Sequence, residues 1–337
     1  MKNPKKSSEK PKIVVILGPT SAGKSAVAIQ LAQEFNGEVV SVDSRQIYRG
    51  MDLGTGKVIR DQNPKHEILN SKQIINSKFK KNKPYISEGI IHHMLDIASP
   101  RTNFSAAQFK KKADKIIKDI LKQGKLPILC GGTGFWIKSI VNNITYPEVK
   151  PDPELRRRLE IESAENLFIQ LKKLDPERAK NIDAKNKVRL IRAIEICQTL
   201  GQVPTTKADP QYDVLQIGLD VPKEKLHAKI KKRLDQRWKD GMLEEVKFLR
   251  KKYKLSWKKI QSFGLGYFWI PEYLQNKIAL DELYEKVFLA EKDYAKRQMT
   301  WFSAQGRSVS GGQKKIVWLE KYPNIQKEIT SFTKKQD

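Results

Sequence analysis

Two glycines, a lysine and a serine near the start of the chain have the types and spacing that bind phosphate. Residues 18–25 read GPTSAGKS, which fits the pattern G-x-x-x-x-G-K-S. The glycines allow the backbone to turn its N–H groups inward around an anion. Lys24 can neutralise phosphate oxygens, and the Ser25 hydroxyl is a ligand for Mg²⁺. The predicted phosphate-binding residues are Gly18, Pro19, Thr20, Ser21, Ala22, Gly23, Lys24 and Ser25.

An aspartate and a threonine follow two later apolar segments, where strands are expected to end. Asp43 comes directly after residues 38–42, and Thr133 lies in a glycine-rich turn after residues 126–130. Ligands of open α/β sheets bind at the carboxyl ends of the strands, so both side chains could face a bound molecule. For Asp43 the alternative is a helix N-cap. Asp96, after a third apolar segment, could orient Mg²⁺ or water, or could fix a loop.

Short apolar runs alternate with helical segments along the chain and predict the strands that must position these residues. The first run leads into the glycine-rich loop without a gap. The predicted fold class is therefore α/β: a P-loop NTPase-like doubly wound parallel sheet with an inserted helical region. The predicted strands are residues 13–17, 38–42, 92–97, 126–130 and 214–221, with 316–319 as a further candidate.

The domain organisation follows from shifts in charge and periodicity along the chain. A charged stretch with helical periodicity and no strand pattern reads as an insertion into the core. The expected parts are a disordered tail (1–11), the first part of the P-loop core (12–146), a helical lid or insertion (147–185), the continued core (186–221), a basic helical region facing RNA (222–282), a C-terminal helix and strand returning to the core (283–320) and a tail (321–337).

Basic residues are concentrated where an RNA could be bound. The segment 223–259 contains 15 Lys or Arg and 5 Asp or Glu, with Trp238, Tyr253 and Trp257 among them. Cations can follow a phosphate backbone while aromatic rings stack on unpaired bases, although some of these rings must instead pack the helices together. N-terminal to this segment, Arg189 and Arg192 lie on one face of a predicted helix and could bind phosphates. A salt-bridged surface with the nearby Glu195 is the alternative there.

The overall composition also favours a polyanionic partner. The chain of 337 residues has 65 Lys plus Arg and 38 Asp plus Glu, a formal net charge of +27. A lysine-rich proteome or a need for solubility would produce the same excess. Cys130 and Cys197 form no C-x-x-C pair, and the four histidines have no zinc-finger spacing. Because no run approaches 18 apolar residues, we expect a soluble, cytoplasmic protein without a membrane segment. We also expect a monomer.

The ordered motifs resemble the tRNA dimethylallyltransferase (tRNA isopentenyltransferase) family over nearly the whole chain. They are GPTSAGKS (18–25), VDSRQIYRGMDLGTGK (42–57), HHMLDI (92–97), FSAAQF (104–109), GGTGFWI (131–137), RLIRAIEI (189–196) and KRQMTWF (296–302). The resemblance implies transfer of a dimethylallyl group from dimethylallyl diphosphate to N6 of adenosine 37 in tRNAs that read codons beginning with U. It also implies a Mg²⁺ requirement and an inserted helical region that clasps the tRNA anticodon stem-loop.

The resemblance further implies a role for individual residues. Asp43 would accept the proton of N6, residues 18–25 would bind the diphosphate, with Mg²⁺ on Ser25, and Thr133 would lie between the two substrates. Arg233 matches an arginine that reaches the diphosphate. The residues that match tRNA-contacting positions are Asp43, Ser44, Arg45, Gln46, Thr133, Arg156, Val188, Arg189, Leu190, Ile191, Arg192, Gly266, Tyr267, Lys296, Arg297 and Gln298.

The sequence departs from the family pattern at one motif, and other functions remain open. Phe268 stands where a basic residue is usual, and the zinc finger of eukaryotic members is missing, so we expect a bacterial-type enzyme. A P-loop kinase of nucleotides or small metabolites would explain residues 13–142 equally well but leaves the basic tract without a task. A prenyltransferase acting on free AMP or ADP would share the chemistry. A non-catalytic RNA-binding module would need neither a complete P-loop nor Asp43.

Overall fold

The computed structural model describes residues 10–61, 84–205, 208–307 and 315–334. The chain divides into two compact units, one made of Met1–Asn143 with Pro210–Asp337 and the other of Ile144–Asp209. Within the described residues, the first unit contains one seven-stranded sheet. Its strands are β1 (Lys12–Leu17), β2 (Gly37–Ser41), β3 (Tyr85–Ser87), β4 (Ile90–His93), β5 (Leu126–Cys130), β6 (Asp213–Leu219) and β7 (Val317–Leu319).

The sheet is parallel except at one edge, in the order β3-β4-β2-β5-β1-β6-β7. The central strand β1 pairs with β5 and β6, with Ile16 opposite both Cys130 and Ile217. Residues 13–17 have no exposed surface, which explains why they form a continuous apolar run rather than an alternating one. Because β1, β2 and β5 run parallel, the loops that follow them meet at one edge of the sheet.

Helices cover both faces of the sheet, as expected for a doubly wound fold. Ile13, Val15 and Leu17 belong to one core cluster, whereas Val14 and Ile16 belong to another on the opposite face. Among the described residues, the helices of this unit are α1 (Lys24–Glu34), α2 (Ala106–Lys122), α3 (Gly134–Val141), α8 (Lys223–Lys239), α9 (Met242–Tyr253), α10 (Trp257–Gln261), α11 (Gly266–Leu274), α12 (Leu280–Arg307) and α13 (Tyr322–Lys334). In the part of the chain that the structure describes, no helix is both long and apolar enough to cross a membrane.

The expectation for the third strand was wrong in its extent. β4 ends at His93 because Met94 and Asp96 adopt left-handed backbone conformations, with φ of 65° and 55°. β3 was not predicted from the sequence; it pairs antiparallel with β4 through a tight turn at Glu88 and Gly89. Asp96 therefore lies in a loop beyond the strand.

The C-terminal segment 321–337, expected to be a tail, contains the helix α13. Ile325, Ile329 and Phe332 are buried against the sheet face that α1 covers. Their spacing of four and three residues places them on one face of the helix. Residues 1–9 of the expected N-terminal tail lie outside the described residues, whereas the carbonyl of Pro11 accepts a hydrogen bond from Asp213 N at 2.9 Å.

The second unit is a helical insertion that is longer than expected. It contains α4 (Pro153–Glu160), α5 (Ala164–Leu174), α6 (Pro176–Lys180) and α7 (Lys187–Leu200). The expected boundary at residue 185 separates α7 from this unit, yet Leu190 and Ile194 of α7 pack against Leu167 and Leu171 of α5. The apolar face of α7 is thus part of the insertion's own core.

Candidate active site

A cavity of about 820 Å³ opens at the carboxyl edge of the sheet in the first unit. Its walls come from the loops after β1, β2 and β5 and from helices α8 and α12. The structure therefore brings the phosphate-binding loop, Asp43 and Arg233 to one cavity, together with Gly132 of the turn that carries Thr133. These residues lie far apart in the sequence, and the parallel register of the sheet brings them together.

The phosphate-binding loop has the backbone expected of an anion cradle. Gly18 and Gly23 have φ of 139° and 98°, which side chains with a Cβ rarely adopt. α1 begins at Lys24 without a side-chain cap. Its first backbone N–H groups can therefore donate to an anion, which a helix N-terminus favours. Thr20 N donates a hydrogen bond to Oε1 of Gln298 at 2.7 Å. The loop is therefore fixed from α12 before any ligand binds.

Lys24 is a cation held away from water in this loop. Its ammonium donates a hydrogen bond to the carbonyl of Pro19 at 2.6 Å. The pKa of Lys24 is lowered to about 8, mainly by burial and also by Arg233, while Cys130 and Asp43 oppose the change. Burial also raises the pKa of the Cys130 thiol to about 11, and the Ser25 side chain hydrogen-bonds to it. A bound diphosphate would stabilise the charged form of Lys24.

Asp43 uses one carboxylate oxygen to shape its own loop. Oδ1 accepts hydrogen bonds from the backbone N–H of Arg45 at 2.8 Å and of Gln46 at 3.3 Å. The capping alternative is therefore realised, but it occupies a single oxygen. No described residue donates a hydrogen bond to Oδ2, and Asp43 lines the cavity. The side chain can thus be both a structural cap and a proton acceptor.

Thr133 joins the loops that follow β2 and β5. Its Oγ1 accepts a hydrogen bond from Ser44 N at 3.1 Å, and its N–H donates to the carbonyl of Val42 at 3.2 Å. Glycine is required at positions 131 and 132 because other parts of the chain approach the backbone closely there. A Cβ on Gly131 would lie 2.1 Å from the Val42 oxygen, and one on Gly132 would lie 2.0 Å from Nε2 of Gln298. The glycine-rich turn therefore lets β2 and α12 approach the end of β5.

Arg233 enters the cavity from α8. Its Nη2 donates to the carbonyl of Gly56 at 2.8 Å. Burial lowers the pKa of Arg233, and the neighbouring Arg237 lowers it further, although Glu291 and Asp43 oppose both. Arg237 is already paired through Nη2 with both oxygens of Glu291, at 2.5 and 2.6 Å. Arg233 forms no ion pair within the described residues, so its charge remains for a ligand.

Asp96 has a structural role in this structure. Together with Asp52 it forms an ion pair with Lys57, whose side chain is 1% exposed. Asp96 does not line the cavity. Of the two interpretations of Asp96, the structure favours the one that fixes a loop. Lys57 belongs to the DLGTGK segment, and its ion pairs were not predicted from the sequence.

The residues predicted to contact tRNA fall into several environments. Ser44, Arg45, Gln46 and Arg297 line the cavity. Lys296, Val188 and Arg189 are exposed. The side chains of Leu190, Ile191 and Tyr267 are buried, and Gly266 is also buried. Of these four residues, Tyr267 lines the cavity. Arg156 and Arg192 both pair with the buried Glu195. The salt-bridged alternative therefore holds for Arg192, whereas Arg189 forms no ion pair among the described residues. Contact of any of them with RNA stays a prediction.

Gln298 was predicted to contact tRNA, and the structure shows an additional use of its amide. The side chain is 5% exposed and bridges two loops of the site. Besides accepting from Thr20 N, it donates through Nε2 to the carbonyl of Gly132 at 3.1 Å. Tyr294 and His92 also line the cavity but were not predicted, because nothing in their local spacing marks them.

Comparison with known proteins places this site in a family. A model described as IPP transferase matches residues 46–305 of the chain. The chain belongs to the IPP transferase family. The resemblance drawn from the motifs is thereby confirmed. A relative named tRNA dimethylallyltransferase from Anoxybacillus flavithermus is 38% identical over 299 residues, covering 87% of this chain and 88% of its own. One from Thermoanaerobacter sp. is 36% identical over 339 residues, covering 95% and 96%.

Solved structures of this family share the fold. A tRNA delta(2)-isopentenylpyrophosphate transferase from Staphylococcus epidermidis matches with a TM-score of 0.63 and 32% identity, covering 97% of this chain and all of that chain. A eukaryotic dimethylallyltransferase, described as acting on tRNA, matches with a TM-score of 0.70 and 27% identity, covering 87% and 70%. The P-loop NTPase-like fold expected from the sequence is therefore confirmed.

Proposed function

We propose that the protein transfers a dimethylallyl group from dimethylallyl diphosphate to N6 of adenosine 37 in tRNAs that read codons beginning with U. The products would be N6-dimethylallyladenosine in the tRNA and diphosphate. The observation that carries the proposal is the meeting of the phosphate-binding loop, Asp43 and Arg233 at one cavity. The relatives named for this activity support it.

The phosphate-binding loop would hold a leaving group rather than a group to be transferred. Attack of N6 on C1 of the dimethylallyl group forms a C–N bond and breaks the bond between C1 and the bridging oxygen. Negative charge then grows on the diphosphate. Lys24 and Arg233, both displaced from water, can stabilise that charge strongly because their surroundings screen it weakly.

Asp43 would take the proton that leaves N6. The exocyclic amine of adenine is a weak nucleophile, and a carboxylate that accepts its proton during bond formation contributes about 10²-fold or more. Oδ2 is the oxygen available for this, because Oδ1 holds Arg45 N and Gln46 N. Thr133 would contact the substrates from the loop that it ties to Ser44. The target base would be flipped out of the anticodon loop, where it is already unpaired.

The residues present fit a Mg²⁺ ion bound with the diphosphate. Ser25 lines the cavity beside Lys24, and Mg²⁺ characteristically takes few protein ligands and several oxygens from phosphate and water. The described residues contain no cluster of three or more His, Cys, Asp or Glu side chains that could hold a metal by itself. Ser25 would hold the ion, which when bound supplies charge neutralisation to the diphosphate.

The tRNA would approach over the basic helices α8 to α10. Their lysines and arginines can bind phosphates without reading sequence. We propose that the protein works as a monomer. We also propose a reducing, cytoplasmic setting, because Cys130 and Cys197 are free and buried.

The function is tested by offering labelled dimethylallyl diphosphate and Mg²⁺ with three acceptors in separate reactions. The acceptors are an unmodified tRNA with A36-A37-A38, the same tRNA with A37 replaced by G, and AMP. We expect label only on the first. Label on AMP alone would assign the protein to the free-nucleotide class. Phosphate transfer from ATP with no prenylation would favour the kinase class and would remove the assigned role of Asp43.

A further inference from the structure

Glu245 of α9 is a buried carboxylate that does not line the cavity. It accepts hydrogen bonds from the backbone N–H of Asp52 at 2.7 Å, of Leu53 at 2.6 Å and of Gly54 at 3.0 Å. The hydroxyl of Tyr267 donates a fourth, at 2.6 Å. Successive backbone N–H groups that converge on one anion fix the shape of a loop. Glu245 therefore fixes the conformation of the loop 52–57 from a position outside the cavity lining.

The loop passes this constraint on to Gly56. Two of the three residues whose N–H groups bind Glu245 also accept hydrogen bonds through their carbonyls within the loop. Leu53 accepts from Gly56 N at 2.9 Å, and Asp52 accepts from Lys57 N at 3.0 Å. Gly56 has a φ of 60°, in the left-handed region. The position of its carbonyl is thus set by the turn that Glu245 anchors.

Gly56 in turn fixes the Arg233 guanidinium. Its carbonyl accepts from Nη2 at 2.8 Å, and a Cβ on Gly56 would lie 1.7 Å from the same nitrogen. Arg233 has no ion pair among the described residues, so this carbonyl determines where its charge lies. Arg237 of the same helix reaches the same loop, at the Gly54 carbonyl, 3.4 Å away.

We propose that Glu245 is a positioning residue for the diphosphate site, acting through the loop 52–57 and the Gly56 carbonyl to place Arg233. The inference rests on the proposed function, because it gives Arg233 the diphosphate as its ligand. Glu245 contacts no substrate in this account. Replacing it with glutamine keeps the size of the side chain but turns an NH₂ group toward backbone N–H donors. The loop must then shift, and Arg233 shifts with it.

The test is calorimetric titration with inorganic diphosphate, which needs no catalysis. The variants are Glu245→Gln, Arg233→Ala and the double variant. The matched control is Glu38→Gln, which alters another buried carboxylate outside the cavity. Glu38 pairs with Lys125 and His93. We expect Glu245→Gln to weaken diphosphate binding about tenfold or more, while Glu38→Gln leaves it unchanged. Both glutamine variants should lower the melting temperature.

The double variant distinguishes positioning from general destabilisation. If Glu245 acts through Arg233, the double variant binds diphosphate no more weakly than Arg233→Ala alone. Independent, additive losses would overturn the proposal, and so would wild-type affinity in Glu245→Gln. Should Glu245→Gln fail to fold, Gly56→Ala tests the last link by the same comparison with Arg233→Ala. A wild-type protein that binds no diphosphate would refute the proposed function itself, a result distinct from a change confined to the variants.

Discussion

Asp43 divides its two carboxylate oxygens between its own loop and the cavity. Oδ1 accepts from two backbone N–H groups and so fixes the direction of the side chain. The second oxygen, Oδ2, has no donor among the described residues and is left to accept a proton. The carboxylate can therefore be rigid and still accept a proton.

Asp43→Asn should lower kcat by about 10²-fold or more with little change in fold, because the amide oxygen can replace Oδ1 but not the base. Asp61→Asn is the matched control. Asp61 also accepts from two backbone N–H groups, those of Glu88 and Gly89, at 2.9 and 2.8 Å. The kcat of the Asp61→Asn variant should equal that of the wild type. Equal activity of Asp43→Asn and the wild type in single-turnover assays would remove Asp43 from the chemistry.

Lys24 should make diphosphate binding depend on pH. Burial lowers its pKa to about 8 in the free protein, so its charge is lost as the pH rises through that value. The KM for dimethylallyl diphosphate should therefore increase between pH 7 and pH 9. Lys24→Met should have a high KM with no such dependence, whereas Lys118→Met, an exposed lysine of α2, should behave as the wild type. A wild-type KM that is flat across pH 8 would contradict this assignment.

The lowered pKa of Lys24 also makes the free energy of unfolding depend on pH. The direction is opposite to that of a lysine whose pKa is raised by an ion pair. Below pH 8 the folded protein must hold a buried charge, and this lowers the free energy of unfolding. Between pH 8 and the ordinary value of 10.5 the unfolded chain binds the extra proton, so stability rises with pH. Lys24→Met should thus be more stable than the wild type at pH 7, by an amount that shrinks toward pH 10.

At the scale of elements, the helical insertion is organised around a buried charge. Glu195 of α7 is 1% exposed and pairs with Arg156 of α4 and with Arg192 one turn earlier on α7. Burial alone would raise the pKa of Glu195, but the hydrogen bonds from Arg156 and Asp152 N outweigh it and lower the pKa to about 2. The pairing therefore ties α4 to α7 in its charged form.

Glu195→Gln should lower the free energy of unfolding by about 3 kcal/mol at pH 7, because it leaves two arginines without their carboxylate. The wild-type contribution is fully present above the ordinary pKa of 4.5 and is lost as the pH falls toward 2. The difference from the variant should shrink over that interval in urea denaturation. Glu165→Gln, an exposed glutamate of α5, should change little at any pH. A loss that does not depend on pH would contradict the ion-pair account.

The elements also show what the sequence can and cannot reveal. β1, its loop and α1 were predictable because an apolar run, fixed glycines and a helix follow one another without a gap. α13 was missed because its apolar positions are few, and β3 because three residues carry little pattern. Glu245 could not be recognised, since the backbone N–H groups that it binds lie more than 190 residues away. Arg233 was found through the family resemblance alone, and its contact with Gly56 needed the structure.

At the scale of the whole molecule, charge should dominate binding of RNA. The formal net charge is +27, and helices α8 to α10 carry much of the excess. Each phosphate neutralised releases counterions, so tRNA affinity should fall steeply with salt concentration. This electrostatic attraction does not depend on base identity. The adenosine must therefore be selected by contacts within the cavity.

Lys251→Ala with Lys258→Ala should weaken tRNA binding and reduce the slope of log K against log salt by roughly one per lost phosphate contact. The matched control removes two exposed lysines from α2, Lys111 and Lys115. It has the same net charge but should keep the wild-type slope. Filter binding between 50 and 300 mM salt, a range over which such contacts change affinity by orders of magnitude, measures both. Equal slopes for the two pairs would place the RNA elsewhere.

In the proposed reaction the phosphate-binding loop holds the leaving group while nitrogen attacks carbon. The direct test uses dimethylallyl diphosphate labelled with ¹⁸O at the oxygen between C1 and phosphorus. With tRNA as acceptor, we predict that mass spectrometry finds the label entirely in the released diphosphate and none in the modified nucleoside. Label that stays with the organic product would mean that the bond to phosphorus breaks instead, and would return the loop to ordinary phosphoryl transfer.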